Sequence, residues 1–427
     1  MDTPVSPSPL AHRVRRLGHL DLPGGGQVVV QGKHAFVGHM DAPHGTTIID
    51  VSEPAKPRVI AQIGLEGEHE HSHKVRVVGD LMYTNLERPN RRFAAKATLY
   101  RETRDALEKA HRRPPTPAEL AAKLKVNESQ LPLLEEWSRT GFERAGFHVW
   151  DIADPANPRL ISHVRTGGVG VHRFDVDERY AYISTGMDGY GGNILVNYDV
   201  KDPARPEEVS RWWLPGQHLA GGETPQGPAD KVHLHHAMRY GDRLWAGCFM
   251  AGLRVIDVSD IRAPRTVGSY NYHPPFPDPT HTVLPVPRKI AGRDIALVVD
   301  EAHGRHPGQT CAGLWIFDVG NLADIRMIGQ FHVSELDSPW ARKGRFGAHQ
   351  FQEHLEEDYA FCAWFSGGLR IVDFSDPLRP KEAGHYMPEP CGGQTSPQTN
   401  DVEVDSRGLV YTIDRYCGFD ILEFQRQ

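Results

Sequence analysis

The sequence predicts an all-β protein: a seven-bladed β-propeller closed by an N-terminal strand, with a helical insertion capping its top face. Three observations predict it. One strand-and-turn phrase recurs along the chain, its period is about fifty to sixty residues, and the last copy lacks an outer strand that the N-terminus can supply.

The phrase is clearest in its second half. Ile49-Asp50-Val51-Ser52-Glu53-Pro54 returns as Trp150-Asp151-Ile152-Ala153-Asp154-Pro155 and as Tyr198-Asp199-Val200-Lys201-Asp202-Pro203. Ile256-Asp257-Val258-Ser259-Asp260 and Val372-Asp373-Phe374-Ser375-Asp376-Pro377 are further copies, Phe317-Asp318-Val319 is degenerate, and Leu422-Glu423-Phe424 is a stub. The Asp and Ser side chains cap a turn, and proline cannot continue a ladder, so each copy reads as a strand followed by a turn. Before it come an alternating run, a Gly-Asp turn and an aromatic run such as Leu244-Trp245-Ala246-Gly247; after it comes a fourth strand such as Arg265–Tyr270. Counting first strands, including 27–30 and 400–404, gives seven units.

The ends favour a closed ring. The final unit stops one strand short, and Arg16–Leu22 resembles the missing outer strand. Pairing the two chain ends removes an exposed sheet edge, whereas a solenoid would need polar caps. One domain then spans 1–427, and its one irregularity is a segment of helix formers at 90–143, inside the second unit after Leu81–Glu87. There Thr116, Pro117 and Glu119 have the spacing of a capping box with proline in the first turn. The loop it occupies lies on the face where first strands begin, so the helices are expected above the mouth of the ring.

Composition narrows the function. A net charge of -7 argues against a nucleic-acid surface, and no apolar run is long enough to span a membrane. The five cysteines are scattered without a Cys-x-x-Cys pair, which suggests reduced, mostly buried thiols and a cytoplasmic protein. No Gly-x-Ser-x-Gly, Walker or dinucleotide glycine motif is present.

Histidine carries the chemical signal. His73, His172, His236, His281 and His349 each open the first strand of a unit, while Gln27 and Asn400 fill that slot in the remaining two. The scaffold therefore accepts other residues, and five imidazoles brought to one axis point to a metal. Neighbouring His69, His71, His233 and His235 are alternative ligands. The ends of the second strands are polar as well, at His39, Glu87, Asp188, Asp300, Glu301, His303, Asp414 and Arg415. Glu301, His303 and Glu87 are the candidate catalytic groups. Imidazole-dominated sites exclude calcium and magnesium and suit iron best here, with copper, zinc or manganese as alternatives.

The strand that reads Leu253-Arg254-Val255-Ile256-Asp257 and Leu369-Arg370-Ile371-Val372-Asp373 resembles the LVIVD-repeat family. The resemblance covers nearly the whole chain outside the insertion and implies a β-propeller. It implies little about activity, because propellers host unrelated functions. Carotenoid-cleavage oxygenases offer a similar plan, with iron on a propeller axis held by four histidines, as an architectural analogy only. The residues themselves favour a metal-dependent enzyme acting on a small organic molecule, with an O2-using oxidoreductase ahead. A metal-dependent hydrolase or lyase using metal-bound water, with Glu301, Asp300 or Glu87 as base, is the second reading. A non-enzymatic protein-binding propeller is the third.

Overall fold

The computed structural model describes residues 10–67, 69–89, 91–304 and 310–426. Five antiparallel four-stranded sheets follow one another. The first comprises Gly25–Gln31, His34–His39, His44–Asp50 and Arg58–Gly64. The second comprises Val75–Val78, Leu81–Leu86, Gly146–Asp151 and Arg159–Arg165, and the third Gly167–Val176, Tyr180–Gly186, Asn193–Asp199 and Glu207–Trp212. His236–Tyr240, Arg243–Gly247, Leu253–Asp257 and Arg265–Tyr270 form the fourth; Thr280–Pro285, Ile295–Asp300, Leu314–Asp318 and Arg326–Phe331 form the fifth.

A nine-stranded sheet holds the remainder, and it contains two more sets of four. The sixth set is Phe346–Phe351, Tyr359–Phe365, Leu369–Asp373 and Lys381–Tyr386. The seventh is Thr399–Val404, Leu409–Asp414, Cys417–Phe424 and the N-terminal Val14–Pro23. The pair Phe365↔Thr399 joins the two sets, and Ala11–His12 adds to the edge of the sixth. The expected N-terminal strand is therefore in place, running from Val14↔Phe424 to Pro23↔Cys417. Its extension onto the sixth set was not anticipated from the sequence.

Asp50 shows why the repeated phrase turns. Its carboxylate accepts from the Ser52 hydroxyl (2.6 Å), the Ser52 amide (3.0 Å) and Arg58 (2.8 Å). Asp257 repeats this with Ser259 and Arg265, and both carboxyls are held below their ordinary range, by the serine hydroxyl first. The core lies between adjacent sheets. Tyr83, Phe147 and Val149 of the second pack on Phe174, Ile183 and Val196 of the third. Tyr411 and Ile413 of the seventh pack on Val28 and Val37 of the first. Strand residues are consequently buried on both faces, as Ile48 and Ile49 are. Each first strand touches the next, and Thr399–Val404 touches Gly25–Gln31, so the chain closes on itself.

The insertion forms α1 (Arg91–His111), α2 (Pro117–Leu124) and α3 (Leu131–Thr140). The Thr116 capping box is present, with the Thr116 amide donating to Glu119 at 2.8 Å and the Glu119 amide to the Thr116 hydroxyl at 3.3 Å. One expectation fails: Cys391 is disulfide-bonded, while Cys248, Cys311 and Cys362 are thiols. Spacing along a chain does not say which cysteines meet in space. Among the described residues no helix is long and apolar enough to cross a membrane.

Candidate metal centre

The site is built by a β-bulge repeated around the ring. Near its start, the first strand slips against its partner in four of the sets: between Gly25 and Gln27, Val171 and Arg173, Thr280 and Thr282, and Thr399 and Asp401. A bulge leaves one residue unpaired and re-aims its side chain. Those residues are Gly26, His172, His281 and Asn400. Counted from the same ladder pair, the equivalent positions elsewhere are His73, His235 and His349.

This corrects the sequence reading in two places. His236 pairs with Gly247, as Arg173 does with Ser184, so it belongs to the layer below, and His235 takes the ring position. Gln27 likewise lies below, and Gly26 holds the slot.

Neighbouring rings succeed one another around an arc. Centroids are 5.2 Å apart from His73 to His172, 4.9 Å to His235, 4.0 Å to His281 and 4.5 Å to His349. His71 extends the arc, 4.0 Å from His73. The five histidines were expected to share one centre. Instead, donors close enough to share an ion fall into two sets: His71, His73 and Glu87; and His235, His281 and Glu301.

Second ring nitrogens are tethered. Nδ1 of His235 lies 3.0 Å from the His281 carbonyl, and Nδ1 of His172 lies 3.0 Å from Glu87 Oε2. His349 and His71 make the same contact to the carbonyls of Asn400 and Met40. His281 Nδ1 lies 2.8 Å from the Thr282 hydroxyl, whose own proton goes to Gln350 Oε1 at 2.6 Å. Every one of these partners accepts, so Nδ1 carries the proton and Nε2 the lone pair, as in metal-ligating histidines. His73 differs, because its Nδ1 receives Asn85 Nδ2 at 3.3 Å. Burial holds His73, His281 and His349 well below the ordinary imidazole range, which keeps them neutral; His73 ligates only by giving up the long Asn85 contact.

A second tier comes from the residue two places beyond the ladder partner in each second strand: Met40, Glu87, Gly186, Phe249, Glu301, Phe365 and Arg415. Phe249 packs 5.1 Å from His235 and Phe365 stacks 4.7 Å from His349. Both have left-handed backbones, at φ 47° and 43°. A bulky residue there costs about 1–3 kcal/mol, a strain that gathers at functional sites. Sequence reasoning missed both; a phenylalanine at a repeat's polar slot was the available signal.

Glu87 and Glu301 lie beside the ring, Glu87 at His172 and Glu301 3.8 Å from His349. Glu301 Oε1 accepts from Arg345 at 2.7 Å and Oε2 lies 2.9 Å from His303 Nε2. His303 and Arg345 hold the Glu301 carboxyl well below its ordinary range against the opposing pull of burial, which makes it a weak base. His303 sits at the exposed rim and orients Glu301. Asp300 turns away, bonded to Tyr272 (2.5 Å) and Trp315 (2.6 Å).

The LVIVD repeat profile matches residues 25–63, 240–272 and 354–388, within the first, fourth and sixth sets. The chain carries LVIVD repeats. No curated protein matches it. It is similar to the C-terminal WD40 domain of Sif2, with a TM-score of 0.54 and 8% identity over 97% of this chain and 99% of that one. A chain of the mitotic checkpoint complex gives 0.55 and 8%, over 99% and 96%. The Pseudomonas aeruginosa periplasmic gluconolactonase PpgL gives 0.52 and 10%, over 92% and 99%. At these identities the likeness shows the fold alone, a β-propeller.

Below the ring, buried charge closes the axis. Lys74 Nζ donates to the Gly26 carbonyl at 3.2 Å, and Arg173 reaches His236 Nδ1 at 3.3 Å and Glu353 at 3.4 Å. Arg76 pairs with Glu353 and lies 3.3 Å from Asp175. The ring lies on the other side of this charged layer. The helical insertion borders the ring on one side, where Trp137 packs on His69 and α1 touches Gly167–Val176, the strand bearing His172. It flanks the His71–His73 end of the arc.

Gly26 marks where the repeats leave a gap. A Cβ there would lie 2.6 Å from His73 Cβ and 2.7 Å from its carbonyl oxygen. Gly26→Ala is expected to push His73 out of line and cost about 1–3 kcal/mol in stability. Urea unfolding together with metal content measures both effects, and a variant unchanged in each would show that His73 is not held there.

Proposed function

We propose that this protein is a metal-dependent enzyme acting on a small organic molecule at the histidine ring of a seven-bladed propeller. Iron is the favoured metal and O2-using oxidation the favoured chemistry. The observation that carries this reading is the donor set: two imidazoles with one carboxylate, Nε2 lone pairs presented by tethered rings. Such a triad leaves coordination positions open and is characteristic of non-haem Fe(II) oxygenases. The phenylalanines beside the ring support it by supplying an apolar wall for an organic substrate.

Two imidazoles and a glutamate also suit zinc hydrolases, which is the second reading. It needs a general base beside the metal-bound water. Glu301 is a poor one, since Arg345 and His303 stabilise its ionised form.

Plasma mass spectrometry of the purified full chain tests the proposal, followed by oxygen uptake with a panel of small organic substrates. Near-stoichiometric iron with substrate-dependent O2 consumption is expected. Zinc with hydrolytic turnover would install the second reading. No bound metal, and none regained on anaerobic reconstitution with Fe(II), would leave a protein-binding propeller in its place.

A further inference from the structure

We propose that the histidine ring is built for two metal ions, a deepening that rests on the metal reading above. The donors divide into His71, His73 and Glu87 on one side and His235, His281 and Glu301 on the other. Within each set the donor atoms lie within 4.8 Å of one another, and no residue is shared. Among the described residues no set of four such donors is that compact. A single ion held by four histidines would bring four donors together. Two triads make two centres.

His172 sits between them. Its Nδ1 lies 3.0 Å from Glu87 Oε2, in the first triad, and its Nε2 lies 3.1 Å from Nε2 of His235, in the second. The His235 Nδ1 proton goes to the His281 carbonyl at 3.0 Å, and the His172 Nδ1 proton goes to Glu87. The two Nε2 atoms are within hydrogen-bonding distance, so His172 links the two sets while belonging to neither. Its other nitrogen orients the carboxylate of the first triad.

Each triad supplies one carboxylate, so two divalent ions leave net positive charge in the ring. Anionic ligands such as hydroxide or a substrate carboxylate would balance it.

The test is a count. The full chain is stripped with dipicolinate and titrated with Co(II) by calorimetry, and the ions per chain are read by native mass spectrometry. Two ions per chain are expected, with one remaining in His71→Ala and one in His281→Ala. A wild-type chain that binds one Co(II), still held with unchanged affinity by His71→Ala, overturns the two-ion proposal and leaves the metal reading standing. A wild-type chain that binds none overturns both. The wild-type count decides the matter even if a variant fails to fold.

Discussion

His235→Ala is expected to strip the ring of metal, whereas His236→Ala is expected to keep the metal and lose stability. The two residues are adjacent, yet the bulge sends them to different layers. His235 presents Nε2 to the arc, 3.1 Å from His172 Nε2 and beside His281. Losing this ligand should weaken retention by more than the roughly 10–100-fold typical of losing a tethering partner. His236 is 1% exposed and receives Arg173 at 3.3 Å. Its removal leaves a buried guanidinium short of an acceptor and opens a cavity, at about 1–3 kcal/mol. Metal content and urea unfolding of the two variants side by side check this. Metal lost from His236→Ala and retained in His235→Ala would reverse the assignment of the slot.

Glu353→Ala should be among the most destabilising single substitutions in the molecule. Its carboxylate faces Arg76 and Arg173 and accepts Gln350 Nε2 at 2.8 Å, under the ring. Without it, the buried Arg173 loses its counter-charge and Arg76 is left with Asp175 alone, an effect of about 3–5 kcal/mol. Glu353→Gln should recover part of this, because its amide oxygen still accepts a hydrogen bond. A loss below about 1 kcal/mol in urea unfolding, the range of an exposed pair, would mean that water reaches the axis from below.

The repeated phrase and the capping box were legible because each depends on neighbours in the chain. Asp50 finds Ser52 and Arg58 within its own turn, and Thr116 finds Glu119 within its own helix. Closure was legible too, since a unit one strand short and a spare strand at the other end imply each other. Glu87 and Glu301 stood out as carboxylates ending apolar strands. His235 did not stand out from His236, because a bulge is a disagreement between two strands and neither strand records it alone.

By itself, the sequence determined the repeats, the strands and turns within each, and a histidine supply near the start of five of them. Those follow from local sterics and hydrogen bonding over a few residues. Tertiary structure decided which imidazole of each cluster enters the ring, that the donors divide into two triads, and that Phe249 and Phe365 wall the site from left-handed backbones. It also joined Cys391 in a disulfide. Each of these depends on where separate sheets come to rest against one another, and a distance between sheets is a property of the packed core rather than of any stretch of chain.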